Sequence, residues 1–291
     1  GRLTERLAVR GQDDLGRLAS SFNSMAESMQ QQIQRLEELS RIQQRFVSDV
    51  SHELRTPLTT IRMASELLYA ASEDFDPANA KAVELLQQQS ERFELLLNDL
   101  LEISRLDAGV VKLELDATDL SATCARVLDS LRAVATDTST PINIATYGDV
   151  GLIECDARRI ERIIRNLMSN AIEHGKSNPV NVVIAGAPDS VTVSVRDHGS
   201  GLKPSEAALV FNRFWRADPS RQRTIGGTGL GLAISLEDAQ IHGGWLDADG
   251  ESGKGAHFRL VLPRDPRSEG SIKTDVPLRI NEFDEWLASQ S

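Results

Sequence analysis

The chain reads as multidomain: an all-α coiled coil and a helical hairpin that forms a dimeric four-helix bundle, followed by an α/β sandwich. Three observations predict this. A seven-residue apolar repeat runs through residues 15–39. Two long amphipathic stretches follow, joined by a short polar turn. After Asp107-Ala108-Gly109, strand-like and helix-like runs mix without strict βαβα order.

Length and composition set the outer limits. At 291 residues there is room for about two domains of ordinary size. Hydrophobic residues at 40% and charged residues at 26% are the balance of a globular chain. Lys+Arg number 32 against 43 Asp+Glu, a net charge of −11, which argues against direct nucleic-acid binding. Cys124 and Cys155 sit in no ligand-like spacing and read as ordinary residues in a reducing compartment. No apolar run of about 18 residues is present, so no membrane span is expected, and no signal peptide. The chain begins at Gly1 inside a helical pattern, which reads as a piece of a longer protein.

Taking the elements in order, Leu15, Phe22, Met29 and Leu36 fill one core position of the repeat. Leu18, Met25 and Leu39 fill the other, with Gln32 the exception. Past Leu39 the apolar steps slip through Ile42 to Phe46, which changes the local supercoil. Phe46, Val50, Leu54, Pro57 and Ile61 then make one helical stripe. His52 lies two residues, about 200°, from both Val50 and Leu54, so it faces water. Pro57 lacks a backbone donor and is expected to kink this helix, which runs to about Tyr69. Residues 70–77 read as a turn. A second helix follows, with Val83, Leu86, Phe93, Leu97, Leu100 and Ile103 as its expected buried face. A two-helix hairpin buries little alone, and two copies would complete a four-helix bundle.

The mixed region is expected to hold strands at 111–115, 180–184, 191–195, 245–248 and 258–262. Helices are expected at 120–134, 156–174 and 230–242, on one face of a mixed sheet. Residues 265–291 read as a loose polar tail, in which Ile280, Phe283, Trp286 and Leu287 allow one or two amphipathic turns.

Four words in this region bear on chemistry. Asp156 is placed to cap a helix whose apolar face is Ile160, Ile163, Ile164, Leu167 and Ala171. Asn166, Asn170 and His174 form a second stripe, and an Asn amide oxygen suits a hard cation such as Mg²⁺. Val191, Val193 and Val195 alternate inward, and Asp197 shares their parity. A carboxylate buried there needs a donor, such as the exocyclic amine of adenine. Gly199 and Gly201 let a ligand approach the backbone. Phe211-Asn212-Arg213-Phe214-Trp215-Arg216 interleaves aromatics with cations, and 218–225 reads as a mobile lid. Arg216, Arg221 and Arg223 are candidates to meet phosphates. Gly226-Gly227-Thr228-Gly229-Leu230-Gly231 opens a helix whose N-terminal amides attract anions. No Gly-Lys-Ser/Thr follows, so it is not a P-loop. Read alone, each word has an ordinary alternative: a solvated helix face, a tight turn or a surface loop.

Together they resemble, in order, the motifs of bacterial two-component sensor histidine kinases, across roughly residues 11–263. His52-Glu53-Leu54-Arg55-Thr56-Pro57-Leu58 is similar to the phosphoacceptor motif. Asn166-Leu167-Met168-Ser169-Asn170-Ala171 is similar to the kinase Asn motif. Asp197, Gly199 and Gly201 resemble the adenine-recognition motif, and the 226–231 loop and Gly253 with Gly255 resemble the remaining glycine motifs. Gly11-Gln12-Asp13-Asp14-Leu15-Gly16-Arg17-Leu18, with Phe22-Asn23-Ser24-Met25, resembles the second helix of a HAMP signal relay. Asp49, residues 211–223 and Glu237-Asp238-Ala239 resemble actinobacterial members.

The resemblance implies a domain order: a C-terminal HAMP half at 1–29, a signalling coiled coil at 30–45, a dimerisation and phosphotransfer hairpin at 46–109, and a catalytic domain at 110–264. The catalytic domain would be the GHKL ATPase sandwich also found in type II topoisomerases, Hsp90 and mismatch-repair ATPases. It further implies ATP and Mg²⁺ as cofactors, with Asn170 on the metal and Asn166 and His174 beside it. Asp197, Gly199 and Gly201 would hold adenine, and Arg216, Gly227, Thr228, Gly229, Leu230 and Gly231 the phosphates. His52 would accept the phosphoryl group, Glu53 would orient its ring, and Thr56 would orient water for dephosphorylating a partner. The partners implied are a second copy of the chain and the receiver domain of a response regulator, on the cytoplasmic side of a plasma-membrane protein. One departure is Glu173, where many relatives carry Lys or Arg; Lys176 or an Arg elsewhere would replace that cation. Three readings stay open on the residues: an active kinase, a dimeric scaffold that binds ATP without phosphorylating itself, and an ATPase clamp of the topoisomerase or chaperone type.

Overall fold

The computed structural model describes residues 14–72, 75–109, 111–203, 205–216, 228–267 and 272–290. Helix α1 (Asp14–Ala70) carries the heptad segment and the His52 segment in one helix, with Pro57 inside it. Pro57 has no N–H to give the Glu53 carbonyl one turn earlier. Helix α2 (Pro77–Asp107) starts with Pro at its first position, under Asp76, whose carboxylate accepts from the Ala78 and Asn79 amides. The two helices run antiparallel: Leu58 packs with Leu97 and Leu101, and Arg62 pairs with Glu94 at 3.1 Å.

Only part of the expected face of α2 is covered. Val83, Leu97 and Ile103 are buried, but Leu86, Phe93 and Leu100 stay exposed, as do Phe22, Met25, Met29 and Leu39 along the heptad seam. A single hairpin cannot bury a stripe this wide, which is the physical ground for expecting a second copy. No helix among the described residues is long and apolar enough to cross a membrane.

The rest is an α/β sandwich. After β1 (Asp116–Asp119) come α3 (Leu120–Asp137), β2 (Ile142–Tyr147), β3 (Leu152–Cys155), α4 (Ala157–His174), β4 (Val180–Gly186) and β5 (Ser190–Asp197). Then follow α5 (Gly231–Ile241), β6 (Trp245–Glu251), β7 (Gly255–Pro263) and α6 (Ile280–Ser289). The main sheet has the order β2-β4-β5-β7-β6, with β2 parallel to β4 and the other pairs antiparallel. β1 and β3 form a separate antiparallel pair. Residues 111–115, expected as a strand, join no ladder, because pairing begins at Asp116 against Cys155. Helices α3 and α4 cover one face of the sheet. Ile160, Ile163, Ile164, Leu167 and Ala171 meet Val191, Val193 and Val195 in one core. Cys124 and Cys155 are free and buried, and burial pushes the Cys124 thiol up to about 12, so neither is a reactive thiolate.

The other face corrects the expectation of a loose tail. Every residue of β5 is buried, including Ser190, Thr192, Ser194 and Arg196, whose alternation reads as a solvent face. The C-terminal segment lies across them. Thr192 meets the Thr274 hydroxyl at 2.6 Å, and Ser190 donates to the Lys273 carbonyl. Phe283 of α6 is fully buried against Val183 and Val276, with the Trp286 ring tilted beside it and Tyr147 meeting Trp286 edge-on.

His257 of β7 stacks on Phe283 and meets the Leu278 carbonyl through Nδ1 at 2.7 Å, so Nδ1 carries the proton. Burial pushes this imidazole down to about 4; Arg196 and Arg259 add to that, against the Leu278 carbonyl and Asp249. An unfolded chain protonates the same ring near pH 6.5. The stability that the neutral ring supports is therefore present above about pH 6.5 and is lost as pH falls toward 4. The melting midpoint should drop over that window. The drop should be shallower in His257→Asn, whose amide keeps the donor and cannot titrate; equal slopes would remove His257 from the account.

Candidate functional site

The site gathers where α4, the end of β5 and the start of α5 converge. Asp156 caps α4 through the Arg159 amide, and its own amide donates to His242 Nε2 at 3.1 Å. This fixes the rotation of α4 and points Asn166 and Asn170 along one side. Asn166 Nδ2 donates to the Gly231 carbonyl at 3.1 Å and Ser235 Oγ at 3.2 Å. Its amide nitrogen therefore ties α4 to the first turn of α5. Asn170, one turn on, is half-buried, and among the described residues its amide has no hydrogen-bond partner. His174 closes the helix, exposed, with its carbonyl accepting from the Ser200 amide at 3.2 Å. Glu173 is half-buried, and Lys176 is exposed in the turn beyond.

Asp197 ends β5 on the core side, as its parity predicts, and is 2% exposed. Its Oδ1 accepts from the Gly199 amide at 2.9 Å. Burial pushes the carboxyl above its ordinary value, against the Gly199 and Ala256 amides. A Cβ on Gly199 would overlap the His174 carbonyl, so only glycine lets this loop lie against the end of α4. Gly201 follows with φ +70°.

Gly229 has φ +78°, and its carbonyl accepts from the Phe214 amide at 3.0 Å. Phe214 itself is held at φ +60°, a strained backbone for an aromatic residue. The segment that leads into the expected lid is thus bonded to the glycine loop, and the lid itself, 218–225, lies outside the described residues. Arg216 is half-buried. Arg221, Arg223, Gly226 and Gly227 lie outside the described residues.

The sandwich also docks on the hairpin, which the sequence did not signal. Leu230 and Ile234 pack with Ile103 and Leu106 of α2. The Thr228 hydroxyl donates to Asp99 at 2.5 Å and accepts from the Leu230 amide at 3.2 Å. Arg213 makes a two-pronged pair with Asp107. Arg159 and Arg162 each bind both Glu102 of α2 and the fully buried Asp238 of α5. Burial pushes the Glu102 carboxyl up, but the two arginines together outweigh it and hold it below its usual range. Asp99 is pushed up by burial, despite the Thr228 bond and the charge of Arg162.

Of the phosphoacceptor word, Glu53 and Thr56 are exposed on α1, and the Thr56 carbonyl accepts from Thr60 Oγ1 at 3.2 Å. The His52 backbone is helical, and its side chain lies outside the described residues. Its height on the hairpin still follows from the register. Leu58 faces Leu97 and Leu101 and Arg62 faces Glu94, so position 52 runs level with residues 103–107 of α2. That is where the helix behind the glycine loop is docked.

Family models match three stretches: a HAMP domain at 1–31, a His Kinase A (phospho-acceptor) domain at 42–109, and a histidine kinase-, DNA gyrase B- and HSP90-like ATPase at 155–266. The sensor histidine kinase MtrB of Mycolicibacterium paratuberculosis is 55% identical over 263 residues, which cover 90% of this chain and 46% of that protein. MtrB of Mycobacterium leprae is 54% identical, covering 90% of this chain and 47% of that protein. The chain spans about half the length of these curated relatives. Full-length ShkA, solved in complex with AMPPNP, shares the fold with a TM-score of 0.67 at 26% identity, over 80% of this chain and 48% of that one. On this shared order of domains and this level of identity, the chain belongs to the two-component sensor histidine kinases, with its similarity to the MtrB type.

Proposed function

We propose that this chain moves the γ-phosphoryl group of ATP onto His52 and then onto an aspartate of a receiver domain. The observation that carries the reading is the docking of the glycine loop and α5 against α2 at the level of position 52. Adenine would lie against Asp197, its amine donating to the buried carboxylate, with the backbone at Gly199 and Gly201 close to the ring. The phosphates would extend toward Thr228, Gly229, Leu230 and Gly231 at the positive end of α5, with Gly227 and Arg216 beside them. Asn170 fits a magnesium ligand: it is a half-buried neutral oxygen donor with no protein partner among the described residues. Magnesium, when bound there, would neutralise phosphate charge and leave the remaining coordination to phosphate and water. Asn166 acts differently, holding the loop helix against α4, and His174 anchors the Gly199 turn through its carbonyl.

The acceptor must be a neutral imidazole, the main form of a solvated His near pH 7. One ring nitrogen forms a bond to the γ-phosphorus while the bond to the β–γ bridging oxygen breaks, and ADP leaves. Glu53 accepts a hydrogen bond from the other ring nitrogen, which orients the ring and stabilises its developing charge. Thr56 lies one turn on, placed to orient water for dephosphorylating the regulator. The acting form is a homodimer through the hairpin and coiled coil, on the cytoplasmic side of the plasma membrane. Its partner is an MtrA-type regulator, by the similarity to the MtrB type.

The test is incubation with magnesium and γ-labelled ATP. The expected label is stable to alkali, lost in acid, absent in His52→Gln, and carried off when a receiver domain is added. Nucleotide binding without label would favour a non-catalytic scaffold. Steady phosphate release that survives His52→Gln would favour an ATPase clamp.

A further inference from the structure

The buried back of the sheet reaches the nucleotide pocket through one side chain. Arg196 immediately precedes Asp197 and, by strand alternation, points to the opposite face. It is 2% exposed, which is costly for a guanidinium without partners. Its partners come from two directions. Nε and Nη2 make a fork to the two carboxylate oxygens of Asp284 on α6, at 3.1 and 3.0 Å. Nη1 donates to the peptide carbonyl of Asp197 itself. Gly255, at φ +91°, leaves the space this requires, because a Cβ there would overlap the Asp197 carbonyl and crowd the guanidinium.

Asp197 is thus held at both ends. The Gly199 amide fixes its carboxylate, and Arg196 fixes its main-chain carbonyl. Arg196 is in turn oriented by α6, which is anchored independently. The Ile280 amide donates to Asp249 at 2.9 Å, and Phe283 is fully buried. We propose that Arg196 and Asp284 are positioning residues for the base-reading carboxylate, so that the C-terminal helix is a working part of the nucleotide pocket. The inference rests on Asp197 reading adenine. A shift of the Asp197 main chain moves its carboxylate off the line of the exocyclic amine, and a hydrogen bond aimed at one atom is sensitive to such a shift. Phosphate binding, carried by the other end of the pocket, is not.

The test is a pair of affinities measured on the full chain by calorimetry: ADP, and the purine riboside diphosphate that lacks the 6-amino group. The wild type should prefer ADP. In Asp284→Asn, which keeps the shape of the side chain and removes its charge, that preference should fall by about tenfold, with affinity for the amine-free nucleotide nearly unchanged. Arg196→Lys, which keeps the charge and loses the fork, should do the same and covers the case in which Asp284→Asn does not fold. A preference equal to wild type in the folded variants, or a parallel loss of both affinities, overturns the positioning role while leaving the pocket in place. A wild type that binds both nucleotides equally overturns the adenine reading and this inference with it.

Discussion

Asp197→Asn should weaken ADP binding by about thirty- to a hundredfold while leaving the unliganded protein as stable as wild type or slightly more so. The two effects have opposite signs for one reason. The Asp197 carboxylate is 2% exposed and burial pushes its pKa up, so the empty pocket carries the cost of a poorly solvated charge. Asn removes that cost, and its Oδ1 can still accept from the Gly199 amide. The bound nucleotide loses a charge-assisted acceptor for its amine, about 2–3 kcal/mol. Calorimetry with ADP and a thermal melt of the same sample measure both effects. A lower melting point with unchanged ADP affinity would make Asp197 a structural residue only.

Asp238→Ala should cost about 3 kcal/mol of unfolding free energy, measured by denaturant titration. Asp238 has no exposure and balances two arginines: Oδ1 accepts from Arg159 at 2.8 Å, and Oδ2 from Arg162 at 3.2 and 2.6 Å. Without it, two guanidiniums that are 18% and 31% exposed share Glu102, and Arg159 keeps only a longer contact with Asp156 at 3.6 Å besides. Glu102→Ala leaves both arginines on Asp238 and should cost clearly less. Its effect should fall on the contact between α2 and the sandwich, since Glu102 is the hairpin's share of the network. Equal costs for the two variants would mean that burial of Asp238 is not what sets the penalty.

Periodicity carried much of the fold. The long helices, the α4 face and the inward parity of Asp197 all follow from apolar spacing, which packing then obeys. Three features did not follow, each for a physical reason. Ser190, Thr192, Ser194 and Arg196 spell a solvent face, yet a segment some eighty residues later covers it, bonding to Ser190, Thr192 and Arg196 through hydrogen bonds that leave no hydrophobic signature. The half-buried strand β2 and the short pair β1 and β3 are too mixed in polarity to stand out from loops. In α2, Leu100 and Leu101 both look like core, and which one faces α1 depends on a rotation that one helix alone does not determine. At the site, Asn166 and Asn170 share a stripe but not a task. Helical spacing places both on one side, and only the neighbouring Gly231 and Ser235 assign the Asn166 nitrogen to holding α5.

The most direct test asks which atom receives the phosphoryl group. The full chain, incubated with magnesium-ATP and kept at alkaline pH, is digested and its phosphopeptide mapped by mass spectrometry. One phosphoryl group on the imidazole at position 52 is the expected result. A phosphoryl group on a hydroxyl side chain, or unmodified peptide from a sample that has consumed its ATP, would contradict the account.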